Sequence, residues 1–232
     1  MTTATLAGAR RFDPVADTQA VFRVVLDAMA RPGTRHTLPA ADPNTPLAKA
    51  GPLVALAQTL LDHEVTFAVV PARGETADAE RLAAYLTLVT GSRTVAAAEA
   101  EYVIALGPLP TGLPATLRVG QPAYPDESAT LIALVPPFGD HAGVPVALTG
   151  PGVARGTAMT LPGLTPSDLA SLAAANAEPP LGVDVILVDP AGTIVCLPRS
   201  TRFSLDHAPR SREELTQDAV TREGEPDGLH RG

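Results

Sequence analysis

Tryptophan is absent from the 232-residue chain, and aromatic residues make up only 3% of it. Any core must therefore be aliphatic, built from alanine, leucine and valine. Cysteine is nearly absent. Cys196 stands alone in TIVCLP, which excludes an internal disulfide framework and a cysteine-held metal or iron–sulfur cluster. Its apolar, strand-like setting suits a buried, inert thiol better than a nucleophile. Lysine is as rare: Lys49 is the only one, and the other basic residues are arginine. A phosphate-binding P-loop needs lysine directly after its glycines, and TPLAKAGP around Lys49 is no such loop. A Schiff-base enzyme needs a desolvated lysine, which a proline-flanked polar connection does not supply. Long apolar runs are missing too. No stretch reaches the roughly 18 residues that span a bilayer, and MTTATLAGARRF lacks the apolar segment of a secretory signal. A cytoplasmic location is expected. A net charge of −8 attracts neither nucleic acid nor an anionic membrane over long range.

What is present is a chain with 45% apolar residues and 24 prolines spread along its length. That composition fits a sizeable core and many stiff connections between short elements. Residues 1–11 read as a flexible lead-in. Residues 12–33, FDPVADTQAVFRVVLDAMARPG, hold a complete helix. Asp13 or Asp17 caps it, Pro14 is tolerated in its first turn, and Pro32-Gly33 ends it. Phe22, Leu26 and Met29 form its expected apolar stripe, widened by Val21 and Val25. A proline-rich connection follows over 38–52, then a helix over 53–61 and a buried strand over 66–70 (TFAVV). A helix is expected over 78–89, with Leu82, Leu86 and Val89 on one face and Gly91 as its stop. Strands follow at 102–106 (YVIAL), 129–135 (ATLIALV, central in its sheet) and 144–149, the last running into Gly150-Pro151-Gly152. Between them 107–120 reads as a loop, with Leu117 on a short edge strand. Thr165-Pro166 opens a helix running to about Asn176. Strands 185–188 and 193–197, joined by Asp189-Pro190-Ala191-Gly192, make a β-hairpin. From Asp206 the chain turns polar; 211–220 is a candidate short helix and the final dozen residues read as disordered. The pattern predicts one α/β domain over 12–205, three-layered, with a mixed sheet between helices.

Few residues carry a chemical signal. The five histidines, His36, His63, His141, His207 and His230, show no i+3 or i+4 pairing, so no metal site is assigned. Ser128 and Ser200 lack the G-x-S-x-G context of a nucleophile elbow. Glu127 beside Ser128, with a distant histidine, is the best hydrolase arrangement the chain offers. Asp189 starts the hairpin turn. Asp184 opens the strand after Gly182, where a carboxylate caps a loop, pairs with an arginine or lines a cleft. Arg199 and Arg202 follow the second hairpin strand in PRSTRF, with Thr201 between them. Arginine there either grips a phosphate or carboxylate or sits solvated at a strand end. Arg31 ends the first helix, where a cation suits the helix dipole. Gly150-Pro151-Gly152 could form an anion-binding turn, although proline removes one amide donor; a plain turn is the simpler reading.

Four blocks occur in order: residues 12–33, PDESATLIAL (125–134), LTGPGV (148–153) and PLGVDVILVDPAGTIVCLPRST (180–201). Together they resemble the PhnH family, one of the components of the bacterial carbon–phosphorus lyase core complex, over nearly the whole chain apart from both ends. Glu-x-Ala-Thr or Glu-Gly-Ala-Thr forms are expected there, and Glu127-Ser128-Ala129-Thr130 departs mildly from the second by its serine. The resemblance implies a fold like that of pyridoxal-phosphate-dependent transferases without the cofactor. It implies partners, subunits G, I and J, and a homodimer for the isolated chain. It also implies a role in joining an alkylphosphonate to ribose with release of adenine from MgATP, a substrate of the assembled complex.

The residue inventory narrows that role. One cysteine cannot hold a radical iron–sulfur cluster, no P-loop makes an ATPase, and Lys49 is a poor aldehyde anchor. The expectation is a subunit without catalytic residues or a cofactor of its own. Arg31, Glu127, Asp184, Arg199 and Thr201 are its candidates for binding a substrate or a partner. The alternative is an independent α/β enzyme that uses Asp184, Glu127 and Arg199 on an anionic small molecule.

Overall fold

A computed structural model of the chain describes residues 11–72, 75–139 and 143–205. The expected lead-in, apart from Arg11, and the polar tail with its candidate helix over 211–220 lie outside the described residues. In chain order the elements are α1 (Ala16–Ala30), β1 (His36–Thr37), a 3₁₀ turn (Ala48–Ala50), α2 (Gly51–Leu60), β2 (Thr66–Val70), α3 (Thr76–Thr90), β3 (Arg93–Thr94) and β4 (Tyr102–Ala105). Then come α4 (Leu113–Thr116), β5 (Val119–Gln121), β6 (Tyr124–Ser128), β7 (Thr130–Leu134), β8 (Val144–Thr149), β9 (Ala158–Leu161), α5 (Pro166–Ala175), β10 (Asp184–Val188), β11 (Thr193–Leu197) and β12 (Arg202–Ser204).

Seven strands form a mixed sheet in the order β1-β11-β10-β7-β4-β2-β3. The β3, β2, β4, β7 and β10 neighbours are parallel; β11 runs antiparallel to both β10 and β1. The central strands are continuous apolar runs because both sheet faces are covered. One register row, Cys196–Ile186–Ile132–Ile104, points to the core beneath α1, α2 and α3. The next, Leu197–Val185–Leu131–Val103–Ala68, points to a second core beneath α4, α5, β8 and β9. The expected α/β class with a mixed sheet is therefore present. The third layer differs from a plain helical one: a three-stranded sheet, β12-β8-β9, shares it with α4 and α5.

Helix α1 corrects the expected packing face. Phe22 and Leu26 are 44% and 53% exposed, and Val15 is 78% exposed. Val21, Val25 and Ala28 are the buried set, with Met29 at the margin. The helix lies close against α2 and β11, and the small side chains permit that approach while the bulky ones face out. Val89 of α3 is likewise 44% exposed, leaving Ala79, Leu82 and Leu86 as its buried face. Leu117 is not on an edge strand. It is buried at the end of α4, and the strand begins at Val119, paired with β6.

Other expectations hold. Asp13 Oδ1 accepts from the Val15 and Ala16 amides at 2.8 and 2.9 Å, covering free N–H groups at the start of α1. Gly91 closes α3 at φ +74°. Thr165 and Asp168 cap α5 reciprocally: Thr165 Oγ1 accepts from the Asp168 amide at 3.1 Å, and Asp168 Oδ2 accepts from the Thr165 amide at 2.9 Å. In the hairpin, the Asp189 carboxylate accepts from the Ala191 and Thr193 amides and, across the fold, from the Phe138 amide.

Candidate functional site

Segments far apart in sequence meet at a corner with no room for side chains. A β-carbon on Gly33 would lie 2.5 Å from Leu148 Cδ1, and one on Gly152 would lie 2.3 Å from the Ala30 carbonyl oxygen. Gly150 in the same turn would put its β-carbon 2.7 Å from the Ser200 carbonyl oxygen. The end of α1, the turn after β8 and the link from β11 to β12 are thus packed backbone against backbone. The Gly150-Pro151-Gly152 turn is a structural joint, and its glycines are needed for closeness as well as for positive φ.

Next to Ser200, Arg199 reaches inward. Its backbone amide donates to Asp184 Oδ1 at 2.8 Å, and its Nε and Nη2 donate to Asp184 Oδ2. Its Nη1 donates to the Pro125 carbonyl at 2.8 Å. The side chains are only 24% and 20% exposed. Of the roles open to Asp184, the structure selects the ion pair with arginine. The pair closes the hairpin at the amino-terminal end of β10 and ties in β6. Glu127 is not part of this bond set; it pairs with Arg118 (3.8 Å), and its side chain is 45% exposed. The hydroxyls of Thr201 and Ser128 are buried with no hydrogen-bond partner. In open α/β sheets, ligands usually sit beyond the carboxyl ends of the parallel strands. Asp184 and Arg199 lie at the opposite end.

Arg31 belongs to a different cluster, one that sequence alone does not assemble. Its guanidinium bonds to Asp27 one turn earlier on α1. Asp27 Oδ2 also faces His36 Nδ1 on β1 at 3.4 Å. The other ring nitrogen, Nε2, lies 2.7 Å from Thr34 Oγ1, which itself donates to the Arg31 carbonyl at 2.6 Å. Beside these residues a cleft of about 570 Å³ opens between α1 and β1, lined by Arg23, Leu26, Asp27, Ala30, His36 and Thr37, among others. The one signal visible in sequence is Arg23, Asp27 and Arg31 at successive i+4 spacings. The part played by His36 depends on the turn after Pro32, which periodicity does not reveal.

The rare residues sit where little chemistry is possible. Lys49 is exposed and pairs with Glu75 at 3.2 Å. Cys196 is fully buried, and burial together with the Asp184 charge pushes its thiol up to about 12. Among the described residues no group of three or more His, Cys, Asp or Glu is placed to hold a metal ion, and no helix is long and apolar enough to cross a membrane.

Comparison with known proteins places this arrangement. The family described as "Bacterial phosphonate metabolism protein (PhnH)" matches residues 10–204. The alpha-D-ribose 1-methylphosphonate 5-triphosphate synthase subunit PhnH of Rhizobium meliloti is 33% identical over 194 residues, 82% of this chain and 92% of that protein. The putative C-P lyase subunit protein HtxG of Stutzerimonas stutzeri is 31% identical over 190 residues, 82% of this chain and 87% of that protein. The glycine joint, the Asp184–Arg199 pair and the hairpin they secure all fall within the matched span, and the chain belongs to the PhnH family of bacterial phosphonate metabolism proteins.

Proposed function

We propose that this chain is a subunit of a carbon–phosphorus lyase core complex in phosphonate catabolism. There it supports formation of a ribose 1-alkylphosphonate 5-triphosphate from MgATP and an alkylphosphonate. The likeness over four-fifths of the chain to a relative named as a synthase subunit supports the pathway. The engagement of Asp184 by Arg199 supports the accessory role. A general base needs a carboxylate aimed at substrate, and this one is turned to Arg199, from which it accepts three N–H groups. Lys49, exposed and ion-paired, offers no desolvated amine to an aldehyde cofactor.

In this reading the partners are subunits G, I and J, the isolated chain is a homodimer, and the assembly works in the cytoplasm. The fold is that of a pyridoxal-phosphate-dependent transferase that has lost its cofactor, and this chain binds none. The independent-enzyme alternative requires Asp184, Glu127 and Arg199 to act on an anion together. Arg199 is already bonded through Nε, Nη1 and Nη2, and Glu127 is paired with Arg118.

Co-expression with tagged subunits G, I and J tests the assignment. The expected result is co-purification of this chain with the complex, and no adenine release when the pure chain is given MgATP and methylphosphonate. Adenine release by the pure chain would make it an enzyme in its own right; failure to co-purify would remove the subunit assignment.

A further inference from the structure

We draw no further inference here: the strongest candidate, the apolar groove of about 310 Å³ where the β2 edge of the main sheet meets α3, lined by Val69, Ala79, Ala83 and Val95 among others, carries nothing because nothing in the structure shows what covers it.

Discussion

Asp184 and Cys196 lie near each other on the β10–β11 hairpin and show how one charge acts in two directions. For Arg199 the Asp184 carboxylate is a partner that accepts three N–H groups. For Cys196 it is a like charge that adds to burial and lifts the thiol from 9.0 to about 12. A sign follows for stability. The folded state keeps the thiol proton up to about 12, whereas the unfolded chain releases it above its ordinary 9.0. The contribution is therefore complete below pH 9 and is lost across the window from 9 to about 12. The maximum slope is about 1.4 kcal/mol per pH unit for one such group. Urea unfolding at several alkaline pH values should show a shallower decline for Cys196→Ala than for the wild type. Equal slopes would mean that the thiol is not responsible. Tyr85 and Tyr102 are also raised, chiefly by burial, and set the decline common to both proteins.

At the scale of elements, α1 is where sequence and structure part most usefully. Its start, its stop and its helical period are all legible in FDPVADTQAVFRVVLDAMARPG. The buried face is not, because hydrophobicity favours Phe22 and Leu26 while close approach to α2 and β11 favours Val21, Val25 and Ala28. Replacing Val25 with alanine should cost about 2 kcal/mol in chemical denaturation. Phe22→Ser should stay within about 0.5 kcal/mol, as a surface change does. The reverse ranking would restore the bulky stripe as the packing face. The strands follow the same logic. Runs such as TFAVV and ATLIALV are legible because both sheet faces bury them. Strands β1, β3 and β12, with two or three residues each, and the polar β6 (YPDES) are stabilised by their neighbours and carry no periodic signal. The Asp184–Arg199 pair is within reach of sequence reasoning, since an antiparallel hairpin places the residue before Val185 near Pro198 and Arg199, the two that follow Leu197. The Thr34–His36–Asp27 set is not, because it depends on the path of the chain through Pro32 and Gly33.

At the scale of the whole molecule, the resemblance blocks prove to be spatial neighbours. The end of the first block lies on the LTGPGV turn, that turn lies on Ser200, and Arg199 beside it bonds to Asp184 and to Pro125 of the second block. Close contact explains why the glycines stand where they do, and the explanation can be separated from backbone conformation. Gly152 and Gly156 have nearly the same φ, +75° and +73°, but a β-carbon meets the Ala30 oxygen at 2.3 Å in the first and nothing within 4 Å in the second. Gly156→Ala should lose only the left-handed penalty of about 1 kcal/mol. Gly152→Ala should lose at least about 2 kcal/mol more, as the joint is forced apart. Thermal melts of the two variants compare them directly, and equal losses would mean that the corner has slack.

The joint also bears on association. Arg31 follows directly on Ala30, and Arg199 directly precedes Ser200, whose carbonyl Gly150 touches. The main-chain spacing of these two residues is thus set by backbone pressed on backbone. A partner surface that meets the chain on both sides of the joint finds that spacing already fixed. Binding then requires little ordering on this side of the interface, so more of the contact energy remains as affinity. The same stiffness makes the surface selective, since a partner with the wrong spacing cannot be accommodated by adjustment.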